Sequence, residues 1–216
     1  MKIDMERQIN NLLNGFENKT PIEKRGTLLE VVTIYQESRY PWRARKYIKP
    51  LLDLVDQIGD DKNLSCFEMV ARFYMNAHDF VGLYHLYLKK YEYLKAKENP
   101  NAYIALGKAL EWRNIFPYEL KPDLDFDEIY LDNPNNIDYL KQKQTKSPFL
   151  KVDPVEFSEE FQKVFDEVME EVEQEIDKEK DLHIPQQRWG IMAEKFADRG
   201  IDWRSPDLMN PGVMFD

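Results

Sequence analysis

The stretch FEMVARFYMNAHDFVGLYHLYLKKYEYL, residues 67–94, decides the fold class of this chain. Its apolar residues recur at intervals of three and four, which is the spacing of one helical face and not of a strand. The polar residues 76–79 (NAHD) divide the stretch, and Asp79 is placed to cap a second helix. We expect two helices joined by so short a turn to form an antiparallel hairpin with facing apolar stripes. These predicted stripes are Phe67, Val70, Ala71 and Tyr74, then Phe80, Leu83, Tyr84, Tyr87 and Tyr91.

The same spacing recurs on both sides of this stretch. Equivalent residues are Leu28, Val31, Val32 and Tyr35 upstream, and Tyr103, Leu106, Gly107 and Leu110 downstream. The three units therefore begin 39 and 36 residues apart. This pattern resembles the tetratricopeptide repeat, a helix-turn-helix unit of about 34 residues that stacks into a solenoid. The resemblance implies an all-α fold over residues 25–115, a TPR-like α-solenoid built from helical hairpins.

The sequence also departs from the repeat family. The position usually held by glycine is Val32 and Ala71 in the first two units, and it is glycine only at Gly107. Pro50 lies inside the second helix of the first unit, where we expect it to kink or restart the helix. These departures leave another all-α bundle as the alternative to a repeat array.

Helix start signals extend the all-α prediction along the chain. Residues 20–23 (TPIE) and 153–156 (DPVE) each combine a capping side chain, a proline suited to a first turn and a glutamate. Helices are predicted at 3–15, 21–38, 41–58, 64–77, 80–96, 101–114, 155–181 and 186–199.

A proline-containing segment, residues 116–150, interrupts the helices. Its four prolines argue against one long helix, but its apolar residues are too many for a free linker. We therefore predict an ordered crossover with a short helix near residues 137–143. The predicted regions are a helical-hairpin repeat region, 1–115, the crossover, 116–150, and an acidic helical region, 151–216, packed on the first and containing a long acidic helix.

The C-terminal tail combines a turn signal with apolar side chains. Asn210-Pro211-Gly212 suits a type II turn, because glycine accepts the positive φ that this turn requires. Two interpretations stay open for the apolar residues: they pack back on the protein, or they form a docking segment. These residues are Trp203, Leu208, Met209, Val213, Met214 and Phe215.

Charge is unevenly distributed in the chain of 216 residues, whose formal net charge is −10. Residues 1–115 carry 18 Lys and Arg against 15 Asp and Glu, whereas residues 116–216 carry 12 against 25. The acidic half is expected to attract a basic partner surface and to oppose nucleic-acid binding, which requires clustered cations. The basic, aromatic segment 38–50 (SRYPWRARKYIKP) is expected to pair with acidic groups of this protein or of a partner, with nucleic acid as the alternative.

The sequence lacks the patterns of known catalytic and metal sites. Asp123, Asp125 and Asp127 resemble the start of a calcium loop, but its later glycine and glutamate are missing. His78, His85 and His183 do not follow a glutamate by three residues, as a di-iron bundle requires, and we expect His78 and His85 to have packing or capping roles. No phosphate loop or nucleophile elbow is present. We therefore expect no metal, no cofactor and no enzymatic activity.

The expected location is the cytoplasm. The single cysteine, Cys66, is interpreted as a buried thiol, and the N-terminus lacks the apolar core of a secretory signal. No segment approaches the roughly 18 apolar residues of a membrane helix.

These observations predict a non-catalytic module that binds a partner protein through a repeat groove or through its acidic C-terminal surface. Arg72, Asn76, Lys108 and Trp112 are the candidate groove residues, because they lie off the apolar faces of successive first helices. One alternative is an acidic inhibitor, of the immunity or antitoxin type, that covers a basic nuclease. A second is a hydrolase that uses carboxylates of the crossover.

Overall fold

A computed structural model describes residues 2–38, 40–147, 150–178 and 185–215, and within these ranges every regular element is a helix. The predicted all-α class is therefore confirmed for the described chain. The chain divides into two compact units, Met1–Ala77 and His78–Asp216. The repeat arrangement stays a prediction.

The described part of the first unit contains four α-helices: α1 (Lys2–Leu13), α2 (Pro21–Gln36), α3 (Arg45–Ile58) and α4 (Asn63–Asn76). Short 3-10 helices lie at Phe16–Asn18 and Pro41–Ala44. Helix α2 is central, since it packs against α1, α3 and α4. Its start confirms the predicted capping box, in which Thr20 and Glu23 satisfy each other's backbone N–H groups.

Helix α3 continues through Pro50 without the expected restart. The irregularity lies upstream instead, where Pro41–Ala44 is a 3-10 helix leading directly into α3. Proline inside a helix costs about 3 kcal/mol, because it cannot donate a backbone hydrogen bond. Full burial of an aliphatic side chain contributes about 1.5–3 kcal/mol, so the three buried residues of α3 outweigh that cost. These residues are Ile48, Leu51 and Val55.

A buried arginine ties the α3–α4 loop to α2. Arg25 is almost fully buried and donates to Asp60 Oδ2 at 2.9 Å and to Asn63 Oδ1 at 2.8 Å. The side chain of Asn63 in turn donates to the carbonyl oxygen of Val55 at 2.8 Å. The hydrogen bonds from Arg25 lower the pKa of the Asp60 carboxyl below its ordinary value.

The second unit contains seven α-helices among its described residues. They are α5 (Phe80–Ala96), α6 (Ala102–Arg113), α7 (Phe126–Asp132), α8 (Ile137–Thr145), α9 (Glu159–Lys178), α10 (Pro185–Ala197) and α11 (Pro206–Met209). Three 3-10 helices lie at Tyr118–Leu120, Pro134–Asn136 and Pro154–Phe157. Helices α5 and α6 form an extensive pair, α8 packs on α6, and α10 packs on α9.

The aromatic residues of α5 form much of the core of the second unit. Phe80 stacks on Trp112 with ring centroids 6.0 Å apart and lies 5.9 Å from Phe157. Tyr84 meets Phe116 edge-on at 5.5 Å. Tyr87 differs from the prediction, because it is only half-buried. Phe80, Leu83, Tyr84 and Tyr91 are buried as expected.

The two halves of the stretch 67–94 are helices α4 and α5, which belong to different units. Each has a buried face: Phe67, Val70 and Ala71 are buried on α4, although Tyr74 is half-exposed. Asp79 caps α5 by accepting a hydrogen bond from the Gly82 N–H at 2.7 Å, as predicted. The packing of the two helices as a hairpin stays a prediction.

The helix predicted from residue 155 begins later, at Glu159, because residues 154–157 form a 3-10 helix. The predicted end, residues 179–181, lies outside the described residues. Helices α9 and α10 are joined by stacked Phe161 and Phe196 rings, whose centroids are 4.7 Å apart.

Candidate functional site

The four groove residues predicted from the sequence occupy different environments. Arg72 and Asn76 are exposed on α4 in the first unit. In the second unit, Lys108 donates to Glu111 at 3.0 Å, and Trp112 is buried against Phe80. The packing of Trp112 accounts for that residue without a ligand. A groove that combines all four residues stays a prediction.

The basic segment 38–50 is largely engaged within the first unit. Arg43 pairs with Glu6 at 3.0 Å, and Lys49 pairs with Asp53 at 3.1 Å. The Arg45 guanidinium lies over the Phe73 ring at 5.6 Å, and Trp42 is buried. Arg39 lies outside the described residues. The intramolecular pairing that the sequence favoured is therefore present for Arg43 and Lys49.

Of the three aspartates that resemble a calcium loop, Asp125 has a local role. Asp125 accepts a hydrogen bond from the Glu128 N–H at 3.0 Å, which caps α7. Among the described residues, no group of three or more His, Cys, Asp and Glu side chains is arranged to hold a metal ion.

A carboxylate of the second unit organises the surroundings of His78. The Glu156 side chain is buried, with His78 Nδ1 2.7 Å from its Oε2 atom, while Trp203 Nε1 donates to its Oε1 atom at 2.7 Å. Burial lowers the pKa of His78, but the charge of Glu156 and the hydrogen bond to it raise that pKa above its ordinary value overall. Glu156 was not predicted as a site residue, since it lies 78 positions from its histidine partner in the sequence. His183 lies outside the described residues.

A second buried carboxylate, Asp153, holds the segment that follows α10. Its Oδ2 atom accepts hydrogen bonds from the Arg204 backbone N–H at 2.7 Å and from Arg204 Nε at 3.1 Å. Its Oδ1 atom accepts from the Val155 N–H at 3.1 Å. The hydrogen bonds of Asp153 thus connect Arg204 to the start of the 3-10 helix Pro154–Phe157.

The C-terminal tail is attached through Asn210. The Asn210 side chain accepts from the Lys151 N–H and donates to the Lys151 carbonyl, each at 2.8 Å, as a neighbouring strand would. Trp203 is buried, whereas the side chains of Leu208 and Met214 are 68% and 90% exposed. The packing interpretation is therefore correct for Trp203, whereas docking by the exposed apolar residues stays a prediction.

These groups surround a cavity of about 250 Å³, here called the His78 cavity. Its polar lining residues are His78, Lys151, Asp153, Glu156, Arg204 and Asn210. Its apolar lining includes Phe80, Val152, Trp189, Met209 and Phe215. The lining residues come from segments that are far apart in the sequence, from His78 to Phe215, so no local sequence motif predicted this cavity.

The crossover presents a second feature, here called the acidic crossover surface: Tyr118, Glu119, Leu120, Asp123, Asp127, Glu128 and Leu131. Tyr118, Leu120 and Leu131 are 90%, 52% and 80% exposed. Its four carboxylates are exposed, and none pairs with a basic side chain of the described chain. This segment thus combines unpaired negative charge with exposed apolar side chains.

The glutamates of α9 contrast with this surface, because cations of α10 and Arg199, which follows α10, pair with many of them. Arg188 contacts buried Glu173 at 2.5 Å, and Lys195 contacts Glu175 at 3.1 Å. Arg199 contacts both Glu171, at 2.6 Å, and Glu167, at 3.2 Å. Much of the acidic charge predicted to meet a partner is therefore neutralised within the second unit.

In the described chain, no helix has both the length and the apolar character needed to cross a membrane. Comparisons of the sequence with protein-family models and curated proteins, and with solved structures, found no match.

Proposed function

We propose that this protein is a non-catalytic binding protein whose partner is another protein with a basic surface. The acidic crossover surface is the proposed contact. The observation that carries this proposal is the contrast between the unpaired carboxylates of that surface and the paired glutamates of α9.

The two kinds of side chain on this surface have different roles in binding. The carboxylates steer a cationic partner and select against acidic ones. Exposed Tyr118 and Leu131 supply apolar area, and fully burying one such side chain contributes about 1.5–3 kcal/mol. Tyrosine in particular is a frequent anchor of protein interfaces.

An inhibitor that covers the basic groove of a nuclease is the more specific form of this proposal. We place the interaction in the cytoplasm, since the chain has one cysteine and that cysteine is buried. Binding through a repeat groove that includes Arg72 and Lys108 is the competing hypothesis.

The test is affinity capture from the native cell, followed by binding measurements with the purified partner. One variant neutralises the crossover carboxylates: E119Q, D123N, D127N and E128Q. A matched control, here called the α9–α10 control, removes four exposed carboxylates of α9, of α10 and of the turn after α10: E159Q, E160Q, E194Q and D198N. We expect the crossover variant to lose the partner and the control to retain it.

The partner should also be basic at neutral pH, and added salt should weaken its binding. Loss of the partner after charge reversal at Arg72 and Lys108, with the crossover variant still binding, would instead favour the repeat groove. A partner that binds both quadruple variants as tightly as the unmodified protein would refute the proposal.

A further inference from the structure

We infer that the His78 cavity binds a small carboxylic acid with an aromatic or branched aliphatic body. This site is separate from the acidic crossover surface and does not depend on the proposed function. The inference rests on the cavity's shape, its apolar lining and the hydrogen-bonding state of its polar groups.

The apolar lining suits a compact hydrocarbon group. Phe80, Trp189 and Phe215 contribute aromatic rings, and the Trp189 and Phe215 rings meet edge-on at 5.2 Å. Val152 and Met209 contribute aliphatic surface. Cavities that hold drug-sized molecules measure about 300–1,000 Å³, so a cavity of about 250 Å³ favours a smaller ligand.

The acceptor groups of the lining side chains already have donors. Both oxygens of Asp153 accept hydrogen bonds, from Val155 and Arg204, and both oxygens of Glu156 do so, with His78 and Trp203 as partners. The Asn210 Oδ1 atom also accepts a hydrogen bond, and both N–H groups of its amide donate within the protein. Every side-chain acceptor oxygen of the lining therefore already accepts at least one hydrogen bond from this protein.

The unused hydrogen-bonding capacity is cationic. Lys151 bonds only through its backbone, so its ammonium group has no partner in the described chain. The hydrogen bonds of Arg204 use Nε and one terminal nitrogen, and the hydrogen bond of His78 uses Nδ1. The other terminal nitrogen of Arg204 and His78 Nε2 therefore remain as donors.

The charge balance indicates a monoanion. With His78 protonated, the lining carries three positive groups against the two carboxylates of Asp153 and Glu156. One negative charge on the ligand neutralises the cavity, and charged acceptors form the stronger hydrogen bonds. A carboxylate supplies this charge, and an aromatic or branched body fills the apolar part.

The experiment uses the full-length protein with benzoate and phenylacetate as probes, and with benzamide and phenylacetamide as their uncharged counterparts. Binding is measured by calorimetry and by the rise in melting temperature with ligand concentration. We expect each carboxylate to bind about tenfold or more tightly than its amide, because a hydrogen bond to a charged group is lost in the amide. Benzoate should bind the crossover quadruple variant unchanged.

Two variants locate the site. K151Q removes a cation whose side chain has no partner in the described chain, so the fold should be kept while benzoate binding weakens severalfold. K163Q removes an exposed cation of α9 and should leave binding unchanged. V152F, which fills the cavity, should abolish binding in a protein that still melts cooperatively.

Three results would overturn the inference. The first is that neither benzoate nor phenylacetate binds at millimolar concentration. The second is that the amides bind as tightly as the acids. The third is that K151Q and K163Q weaken benzoate binding equally, which would indicate nonspecific attraction of the anion.

Discussion

His78 has an unusual backbone conformation, and hydrogen bonds to both its backbone and its side chain hold it in place. Its φ of 52° lies in the left-handed region, which non-glycine residues seldom adopt. Two contacts hold it there: Gln162 Nε2 donates to the His78 carbonyl at 3.0 Å, and Glu156 holds the imidazole. The sequence predicted a turn at this position, but neither contact.

The stability of the second unit should depend on the charge of His78. Its pKa is raised in the folded state by Glu156, against the effects of burial and of the Arg188 charge. The pair therefore stabilises the fold fully below the ordinary pKa of 6.5, and this contribution is lost as the pH rises through the raised value. We expect the free energy of unfolding to fall between about pH 6 and about pH 8, and H78Q to flatten this dependence.

Urea titrations at both pH values measure the effect. H85Q is the matched control, because His85 is exposed and lies at the edge of Tyr84, 5.0 Å between ring centroids. An equal slope in the unmodified protein and in H78Q would contradict a stabilising role of the His78–Glu156 pair.

Two tyrosines of α5 differ in burial, and their substitutions should therefore differ in their effect on stability. Tyr84 is 1% exposed, so Y84A should lower the free energy of unfolding by about 3–5 kcal/mol. Y87A should cost less, about 1 kcal/mol, since Tyr87 already contacts solvent. Chemical denaturation of both variants tests this order, and equal losses would show that the predicted stripe is equally buried at both positions.

At the scale of the element, helix positions followed from local rules. The interval of three and four residues, the Thr20 box and the Asp79 cap fixed α2 and α5 to within two residues. Helix α8, predicted near 137–143, is present at Ile137–Thr145. Helix α7 was missed, although Asp125 followed three residues later by Glu128 is a start signal of the same kind.

Contacts between elements were less accessible to sequence reasoning. Gly107 was identified through the repeat resemblance, and a Cβ there would collide with the Tyr139 ring of α8. The repeat resemblance gave no reason to expect α8 as the neighbour of Gly107. Similarly, the ion pairs between α9 and α10 require the three-dimensional placement of both helices.

The attachment of the tail depends on one side chain. N210A removes three hydrogen bonds and leaves the Lys151 N–H and carbonyl without them. Such a loss is expected to cost about 1–3 kcal/mol and to make residues beyond 205 more sensitive to protease. N135A, which alters an exposed asparagine in the 3-10 helix Pro134–Asn136, serves as control. Proteolysis that is equally fast in both variants would contradict this role of Asn210.

At the scale of the whole molecule, composition predicted the charge asymmetry but not which charges are available. Residues 116–216 hold 25 acidic and 12 basic residues, and the sequence placed the most concentrated acidic run on the predicted helix from 155. In the fold, Arg188, Lys195 and Arg199 neutralise much of that helix. The available charge therefore lies in the acidic crossover surface, whose four carboxylates pair with no cation of the described chain.

The rate of association with the proposed basic partner should depend on the unpaired carboxylates of the acidic crossover surface. If the local field of the crossover steers the encounter, stopped-flow measurements should show association that slows with ionic strength. The crossover variant should then associate slowly at low salt and respond less to salt. The α9–α10 control changes the net charge equally, so its association should stay close to that of the unmodified protein. Equal slowing of both variants would mean that the total charge of the molecule, and not the crossover, guides the partner.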